Sequence, residues 1–554
     1  MASNRWAARE YLYRLVPFSA SGNSSGCDAI FALLAMFFFA AIPVVHAANP
    51  YGELGSQPET SVERHGGWYI EPRVSIRETY TDNVTLSRRG GEKSEFITEI
   101  SPGFSIKHNA ARSNVDIDYS LNNYFYLKDR DRNTLNHRLR GEGDVEIVED
   151  LFFLDTRANI NQQAVSAFGP IGANSSVNSN NRTFRSYSIS PYLRKKFGRE
   201  ATGEARYTFS QLSSDSNSAT TSDSAANSIL LKLDSGPAQH DWGWGSAYRR
   251  ENINYERSTD TTFESVSGNL RYRINPRLFA TGSMGYDKND YFTTGEKPEG
   301  VFWALGADWR PVRRTSLSFS AGRRYFGNTY ALTLQHSTRR TSWDISYQQN
   351  LSTSRSQFNQ PVGTYREFIE STLQSRFPNL SPSDLRNLVD LAAKQYVAAG
   401  QDPDAVQGIN FQTNTAFIEK KWQGLVTLDF SKSALTFRAF SSVRDSSTLG
   451  TQGILNASGD FALSQIIKQS GVGTQWTYHL SPRNDANVGL DVSRFRLVDI
   501  GRVDNRTSLN LGIARKLSRT ANGTVGYRYL RRDSNFSSND YEENSFVGTL
   551  TLTF

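Results

Sequence analysis

Apolar and polar residues alternate one by one along most of this chain, and this period of two constrains its fold more than any other feature. The C-terminal segment is the clearest case, because alternate positions form one mostly apolar set and one mostly hydroxyl-bearing set. The first set is Asn544, Phe546, Gly548, Leu550, Leu552 and Phe554, and the second is Ser545, Val547, Thr549, Thr551 and Thr553. Successive side chains of a β-strand point to opposite faces of its sheet. The pattern therefore predicts a strand with one apolar and one polar face.

The same alternation recurs back to the N-terminal part of the chain. Good examples are residues 68–80, 113–122, 137–147, 262–274, 300–309, 341–350, 434–444 and 505–517. Each is close to the roughly 9–11 residues that a tilted strand needs to cross a bilayer, and we count about 22 such strands, in a range of about 18–22. The composition is only 38% hydrophobic but includes 25 Tyr, 33 Phe and 9 Trp. This balance suits a barrel with a lipid-facing exterior and a wet interior.

The connections between these segments alternate between long and short, apart from one tight hairpin around Gly327. Long ones fall near 81–94, 127–136, 166–182, 212–226, 250–261, 287–300, 350–414, 445–464, 496–505 and 532–542. Short ones fall near 109–112, 148–151, 196–200, 234–240, 275–277, 310–314, 337–341, 431–433, 480–485 and 517–522. Outer-membrane barrels have short periplasmic turns and longer extracellular loops. We therefore predict an all-β fold, a transmembrane antiparallel β-barrel over residues 68–554 with both ends in the periplasm.

The first 47 residues have the features of a cleaved export signal. Arg5, Arg9 and Arg14 precede an apolar run at 30–45, and Val45-His46-Ala47 has the small-x-small spacing of a cleavage site. A membrane anchor is the alternative interpretation. Residues 48–67 would then form a periplasmic N-terminal segment. The only cysteine, Cys27, precedes the apolar run, so we expect neither lipidation nor a disulfide in the mature chain.

One long connection carries helix signals. Thr364 and Glu367 have capping-box spacing, and Ser381-Pro382 gives an N-cap followed by proline at the first helical position. Apolar residues then recur at helical spacing at Leu385, Leu388 and Val389. We predict a small helical hairpin over 365–400 in an extracellular loop, with these three residues as a candidate gating element. A lid, a segment folded into the lumen and simple surface decoration all remain open.

No catalytic or metal-binding constellation stands out. The histidines after the signal are His65, His108, His137, His240, His336 and His479, and no two have metal-ligand spacing. We find no Gly-x-Ser-x-Gly elbow, P-loop or Gly-x-Gly-x-x-Gly. The formal net charge is +7, but basic and acidic residues are interleaved, so a nucleic-acid partner is not expected. We expect no enzymatic activity, no metal and no cofactor, although distant loops could still assemble the site of a surface enzyme.

The polar faces of the predicted strands carry charges of both signs. Candidate lumen-lining residues are Asp116, Asp118, Arg138, Arg140, Glu142, Asp144, Glu146, Arg271 and Arg273. Asp116 and Asp118 are spaced like the carboxylates of some glycosidases, roughly 6.5–7 Å apart on one strand face, but lumen-facing charges are common in barrels. About 22 strands give a width on the order of 40 Å. Such a mixed lining favours a neutral or weakly charged polar solute.

Several phrases resemble those of a known family. They are Ile76-Arg77-Glu78-Thr79-Tyr80-Thr81-Asp82-Asn83-Val84, Phe96-Ile97-Thr98-Glu99-Ile100-Ser101-Pro102-Gly103, Tyr119-Ser120-Leu121-Asn122, Val148-Glu149-Asp150, Leu270-Arg271-Tyr272-Arg273-Ile274-Asn275-Pro276-Arg277 and Arg339-Arg340-Thr341-Ser342-Trp343. In this order they resemble the outer-membrane protein family associated with the PEP-CTERM system. The resemblance implies a barrel linked to exopolysaccharide production and the exosortase system, and it supplies no catalytic residues.

Two function classes follow as hypotheses. The first is a channel or secretion component for exopolysaccharide in the outer membrane. The second is a structural or adhesive surface protein without transport activity. Expected partners are outer-membrane lipid and lipopolysaccharide, the barrel-assembly machinery, and, through the resemblance, exopolysaccharide and its export proteins. Phe546, Leu550, Leu552 and Phe554 form a terminal pattern that resembles the signal read by that assembly machinery.

Overall fold

Twenty-two antiparallel strands close into a β-barrel. In a computed structural model, each strand pairs with the next along the chain, and β1 pairs with β22. The structure describes residues 67–215, 223–239, 241–256, 258–291, 293, 297–359, 366, 370, 389, 413, 415–446 and 459–554. The strands are β1 (Trp68–Thr81), β2 (Glu95–Asn109), β3 (Ser113–Tyr126), β4 (Thr134–Val148), β5 (Phe152–Ala164), β6 (Asn181–Phe197), β7 (Ala201–Ser214), β8 (Ser224–Ser235), β9 (Trp242–Tyr255), β10 (Thr261–Asn275), β11 (Leu278–Asp290), β12 (Glu299–Val312), β13 (Thr315–Arg324), β14 (Gly327–Ser337), β15 (Thr341–Ser352), β16 (Phe417–Asp429), β17 (Ser433–Asp445), β18 (Ile466–Ser481), β19 (Asn484–Leu497), β20 (Arg502–Lys516), β21 (Ala521–Ser534) and β22 (Tyr541–Thr553). The predicted all-β class and the strand number are confirmed.

The two faces of the sheet differ as the alternation predicts. On β22, Phe546 is 57% exposed and Leu550 38%, whereas Glu543 and Ser545, on the alternate face of the strand, are buried. Exposed apolar side chains continue around the outside of the ring, for example Met284, Leu305 and Val525. A closed sheet has an outside and an inside, so the alternation places these apolar side chains outside and the polar ones inside. The exterior suits hydrocarbon and the interior suits water.

Helical structure among the described residues is short. It comprises α1 (Ser354–Asn359), helical positions at Arg366, Glu370 and Val389, and the 3₁₀ turns Arg130–Arg132, Gly459–Ala462 and Ser537–Asn539. Within the described part of the chain, no helix is long and apolar enough to cross a membrane. The predicted signal peptide, and the predicted periplasmic segment up to residue 66, lie outside the described residues.

Most strands are longer than a bilayer requires. The strands run from 10 residues in β13 to 17 in β6, against the roughly 9–11 needed to span the hydrocarbon. The prediction of long connections at 250–261 and 496–505 is therefore wrong in extent. Strand β9 continues to Tyr255 and β10 begins at Thr261, so only 256–260 connect them. Likewise, Leu497 pairs with Arg502, so only 498–501 connect β19 and β20. The tight hairpin is present, with Gly327 at a φ of +121° where Arg324 pairs with it.

The seam between β1 and β22 is fastened by side chains as well as by the sheet. Thr81 Oγ1 donates to Glu543 Oε1 at 2.9 Å, and Asn544 Nδ2 donates to Asp82 Oδ2 at 2.7 Å. Asn83 is fully buried, and its Nδ2 donates to the carbonyls of Ser87 at 2.7 Å and Glu542 at 2.9 Å. The Thr81-Asp82-Asn83 phrase, which contributes to the family resemblance, thus closes the ring.

The two faces of β22 should respond differently to a charge. Leu550 lies outside, opposite Ile76 of β1, whereas the Oγ1 of Thr551 lies 3.1 Å from Ser75 Oγ inside the barrel. Leu550→Lys should destabilise the protein by roughly 2–4 kcal/mol, the cost of a lipid-facing lysine near the bilayer midplane. Thr551→Lys, the matched control, should cost much less because its ammonium reaches water. Urea unfolding in lipid vesicles measures both, and equal losses would show that the faces are assigned wrongly.

Candidate functional site

The interior wall carries paired charges. Arg73 of β1 donates from Nη1 and Nη2 to both carboxylate oxygens of Asp118 on β3, each at 2.7 Å. Beside them, Lys107 Nζ lies 3.6 Å from Asp116, and Arg140 Nη2 lies 3.5 Å from Glu142. Opposite charges at this spacing compensate each other. The two aspartates therefore serve as ion-pair partners along the wall.

The other residues proposed as lumen-lining are distributed along two strands. Arg138 and Asp144 alternate with Leu135 and Ile147, which are exposed on the outside of β4, and both charged residues have interaction partners. Glu146 lies at the end of β4, where its carboxylate accepts from the backbone N–H of Asp150 in the turn. On β10, Leu270, Tyr272 and Ile274 are exposed outside, so Arg271 and Arg273 point inward. Arg271 Nε lies 3.6 Å from Asp308 of β12.

A second group of interior pairs was not anticipated from the sequence. Arg438 of β17 pairs with Asp491 of β19, and Arg528 of β21 pairs with Glu543 of β22 at 2.9 Å. Arg444 Nε also lies 3.0 Å from Glu419 Oε1. Each partner occupies an inward position of its strand, so the alternation does signal the face. The identity of each pair depends on strand register, which the pattern leaves open.

The connection between β5 and β6, residues 165–180, folds across the barrel opening. We call the end of the barrel where β5 ends and β6 begins the long-loop end. Asp460, in the 3₁₀ turn between β17 and β18, accepts hydrogen bonds from Ser166 Oγ and, at 2.9 Å, from the backbone N–H of Ala167. Strands β5 and β18 stand on opposite sides of the ring. The β5–β6 loop therefore reaches far across the opening.

Two interior arginines hold the next part of this loop. Arg502 Nη2 donates to the carbonyl oxygen of Phe168 at 2.8 Å, and Arg532 Nη2 donates to the same oxygen at 2.7 Å. Arg532 also donates to the carbonyl of Gly169, and both arginines pair with the buried Asp504. Asp504 compensates part of their positive charge, and the remaining guanidinium N–H groups bind neutral backbone oxygens. The loop is fixed to the walls of β20 and β21.

Apolar contacts add to this attachment. Ala167 and Phe168 are buried in a cluster with inward-facing residues at the ends of three strands and in the 3₁₀ turn. These are Phe417, Phe461, Ile467, Phe495 and Leu497. Burying a side chain such as Phe168 contributes about 1.5–3 kcal/mol relative to leaving it in water. The loop is consequently packed as a small core rather than laid loosely over the opening.

A second segment, α1, enters the barrel from the end of β15. Immediately after β15, Arg355 of α1 is 2% exposed and makes four hydrogen bonds to the opposite wall. Its Nη1 donates to the carbonyl and hydroxyl oxygens of Ser224 on β8 at 2.8 and 2.6 Å. Its Nη2 donates to the same two groups of Ser210 on β7 at 2.6 and 2.7 Å. Strands β9–β14 lie between β8 and β15, so α1 bridges two separate parts of the ring.

The predicted helical hairpin at 365–400 follows α1. Of its proposed gating residues, Val389 is helical and 4% exposed, whereas Leu385 and Leu388 lie outside the described residues. Arg366 and Glu370 are also helical. Whether the hairpin as a whole gates the barrel therefore stays a prediction, while the segment that leads into it is anchored inside the lumen by Arg355.

The described residues contain no cluster of three or more histidine, cysteine or carboxylate side chains able to hold a metal ion. His479 is paired with Asp485 at 2.6 Å beside a short turn, and His137 lies 2.9 Å from the Tyr119 hydroxyl. Both of these histidines thus have a local structural partner.

No family model matches the chain, and no curated protein matches it in sequence. Among solved structures, it is similar to the siderophore receptor PirA from Pseudomonas aeruginosa at 10% identity and a TM-score of 0.42, covering 88% of this chain and 80% of that one. It is also similar to a mutant of the ferric enterobactin receptor PfeA from the same organism, at 8% identity and a TM-score of 0.47, covering 89% of this chain and 81% of that one. A third similar structure is the outer membrane protein OpdK from Pseudomonas aeruginosa, at 7% identity and a TM-score of 0.32, covering 88% of this chain and 99% of that one. At such low identities, what those proteins bind does not carry over to this chain.

The Asp460 contact should depend on pH. Burial raises the pKa of this carboxyl from an ordinary 3.8 to about 6, although Ser166, the Ala167 N–H and the nearby Arg444 and Arg502 act to lower it. Because the docked carboxyl binds a proton more tightly than the undocked one, docking should strengthen as pH falls through 6, and the gain is complete near the ordinary value. Hydrogen exchange of the Ala167 amide, expressed as a protection factor, should therefore rise from pH 7 to pH 5.

The matched control is Asp460→Asn, which keeps an acceptor oxygen but does not titrate. In that variant the protection factor should be independent of pH over the same interval. Protection of Ala167 that falls on acidification in the wild-type protein would contradict the interpretation.

Proposed function

We propose that this protein is an outer-membrane β-barrel of the channel type, closed at its long-loop end by segments that can move, and that it passes polar solutes without net charge. The observation that carries the proposal is the position of the β5–β6 loop and α1. Both extend from one part of the ring to another and are held there by arginines. A segment in that position controls access to a polar interior.

Location in the outer membrane is supported by the surface. A band of exposed apolar side chains surrounds the ring, and no β-strand edge is left open because β1 pairs with β22. In lipid, every backbone polar group of a spanning sheet must be hydrogen-bonded, and only closure achieves this. Cell fractionation should recover the protein with outer-membrane proteins, and recovery from the soluble periplasm would contradict this location.

Selection for solutes without net charge is supported by the interior ion pairs. Arg73 with Asp118, Arg528 with Glu543 and Arg444 with Glu419 are compensated in place. A wall of this kind offers hydrogen-bond donors and acceptors without a strong field of one sign. An ion would therefore gain little over its hydration, whereas a polar neutral molecule can exchange hydrogen bonds with the wall.

The link to exopolysaccharide export belongs to the same proposal and depends on the family resemblance. Deleting the gene should reduce exopolysaccharide release, and the wild-type gene should restore it. Unchanged release would remove the link while leaving the channel proposal intact.

The alternative is a structural or adhesive protein with a permanently closed lumen. The packed core around Phe168 favours this alternative, because a closure that buries several aromatic side chains is costly to open. The two functions differ in planar bilayers. A channel shows conductance steps, whereas a filled anchor is silent in both wild-type and loop-released forms.

Arg355→Met should release α1 from the opposite wall. The substitution removes four hydrogen bonds from a buried guanidinium, and a bond involving a charged group contributes roughly 1.5–3 kcal/mol. We expect more frequent or larger conductance steps in planar bilayers, and greater sensitivity of cells to large antibiotics. Arg130→Met, at an exposed arginine in the turn between β3 and β4, is the matched control and should behave like wild type.

A deletion variant tests the rest of the same connection. Replacing residues 365–400 with a short Gly/Ser linker should leave the barrel folded, because long loops tolerate such changes. If both the Arg355→Met protein and the deletion protein insert normally but conduct no better than wild type, these segments do not control access.

A further inference from the structure

A cavity of about 440 Å³ lies inside the barrel beneath α1, against the wall formed by β8–β11, β13 and β15. Its polar lining includes Arg249, Glu251, Asp287 and Arg324, and Phe263 and Tyr325 are among its apolar surfaces. Thr353 and Ser356 close it on the side of α1. A volume of this size falls within the range of roughly 300–1,000 Å³ typical of small-molecule sites.

The charged groups that point into this cavity form ion pairs, whereas Glu264, on the outward face of β10, accepts a hydrogen bond from the Tyr248 hydroxyl at 3.0 Å. Arg249 Nη2 lies 2.8 Å from Glu251 Oε2, and Arg324 Nη1 lies 3.4 Å from Asp287 Oδ2. Arg324 is also placed over the ring of Phe302, 4.5 Å from its centroid, which fixes the guanidinium on the wall. A ligand with a net charge would enter without finding an uncompensated counterion, so the lining favours a molecule without net charge.

One acceptor in the cavity is left open. Asp287 is 4% exposed, and its Oδ2 accepts no hydrogen bond from the described residues despite the proximity of Arg324. A buried carboxylate oxygen without a hydrogen bond is costly, because the nearby Arg324 charge does not replace the hydrogen bonds to water that this oxygen loses on burial. The group that would satisfy it is a donor supplied from within the cavity, and an O–H group of a neutral ligand fits both this need and the charge balance.

The apolar lining complements this polar side. Phe263 and Tyr325 belong to one partly buried cluster with Tyr291 and Leu351, and the Tyr325 hydroxyl lies 3.3 Å from that of Tyr291. Since its hydroxyl is engaged with Tyr291, Tyr325 contributes mainly its ring. A sugar has the corresponding character, with C–H groups on the faces of its ring and hydroxyl groups around the edge.

We propose that this cavity is a binding site for a neutral, hydroxyl-rich molecule of the size of a mono- or disaccharide, with Asp287 accepting hydrogen bonds from one or more of its hydroxyl groups. The inference rests on the proposed function, because it names the class of solute that the interior receives. α1 covers the site, so release of Arg355 would also open the path to it.

The test uses the mature full-length barrel in micelles of a detergent without a sugar headgroup, with maltose as the probe and isothermal titration calorimetry as the readout. Maltose should bind saturably, whereas glutamine, a zwitterion, and inorganic phosphate should not. Asp287→Asn should weaken maltose binding by about tenfold, the effect expected when a charge-assisted hydrogen bond is lost. Ser267→Trp, which places an indole in the cavity from β10, should abolish binding.

Asp308→Asn is the matched control. Asp308 is another interior aspartate beside an arginine, with Arg271 Nε at 3.6 Å, but it does not line the cavity. Its variant should bind maltose as the wild type does. Heat-modifiable mobility verifies that each variant is folded, and Ser267→Trp decides the case if Asp287→Asn does not fold.

The site is wrong if maltose does not bind, if glutamine or phosphate binds in preference, or if Asp308→Asn weakens binding as much as Asp287→Asn. The same experiments distinguish failure of the binding site from failure of the channel proposal. Maltose binding by a protein that shows no conductance in bilayers would support the site and contradict the channel. Conductance without maltose binding would support the channel and contradict the site.

Discussion

The pairing of β1 with β22 is the interaction on which the rest of the structure depends. A sheet that spans hydrocarbon cannot leave a row of N–H and C=O groups without partners, so it must close. Once it is closed, alternation along each strand gives an apolar exterior and a polar interior. The seam carries an unusual concentration of buried polar side chains, with Thr81, Asn83, Glu543 and Ser545 all at 2% exposure or less. Their hydrogen bonds fix the register in which the first and last strands meet.

A polar interior makes it possible to hold loops inside the barrel. Arg502 and Arg532 pair with Asp504 and donate to backbone oxygens of the β5–β6 loop. Arg355 reaches in the opposite direction, from α1 to carbonyl and hydroxyl groups of the strands. In both cases a charged, geometrically fixed donor binds neutral acceptors. Attachments of this type are strong in a site shielded from water but exchange readily with water once a segment begins to leave. This property suits a closure that must also open.

Much of the fold could be predicted from the sequence, because the information for it is local. A period of two over β22 identifies both the strand and its faces, and the exposure of Phe546 and Leu550 confirms the prediction. The connections around 250–261 and 496–505 are shorter than the sequence predicts, because the alternation does not show where strand pairing ends beyond the hydrocarbon. The contact between Ser166 and Asp460 joins residues 294 positions apart and has no local signal. Helix-capping residues predict a helical hairpin over 365–400, whereas no sequence pattern around Arg355, ten residues earlier, indicates its role.

The central claim is that the β5–β6 loop crosses the barrel opening to the far side. A disulfide crosslink tests it most directly, because the hydrogen bond between Ser166 and Asp460 brings these two side chains together, and Cys27 is the only native cysteine. In a Cys27→Ala background, Ser166→Cys with Asp460→Cys should form an intramolecular disulfide under mild oxidation in intact cells, seen as a reductant-sensitive change in mobility of the unfolded chain. Two cysteines that remain free, and that each react fully with a thiol reagent added from outside, would contradict the account.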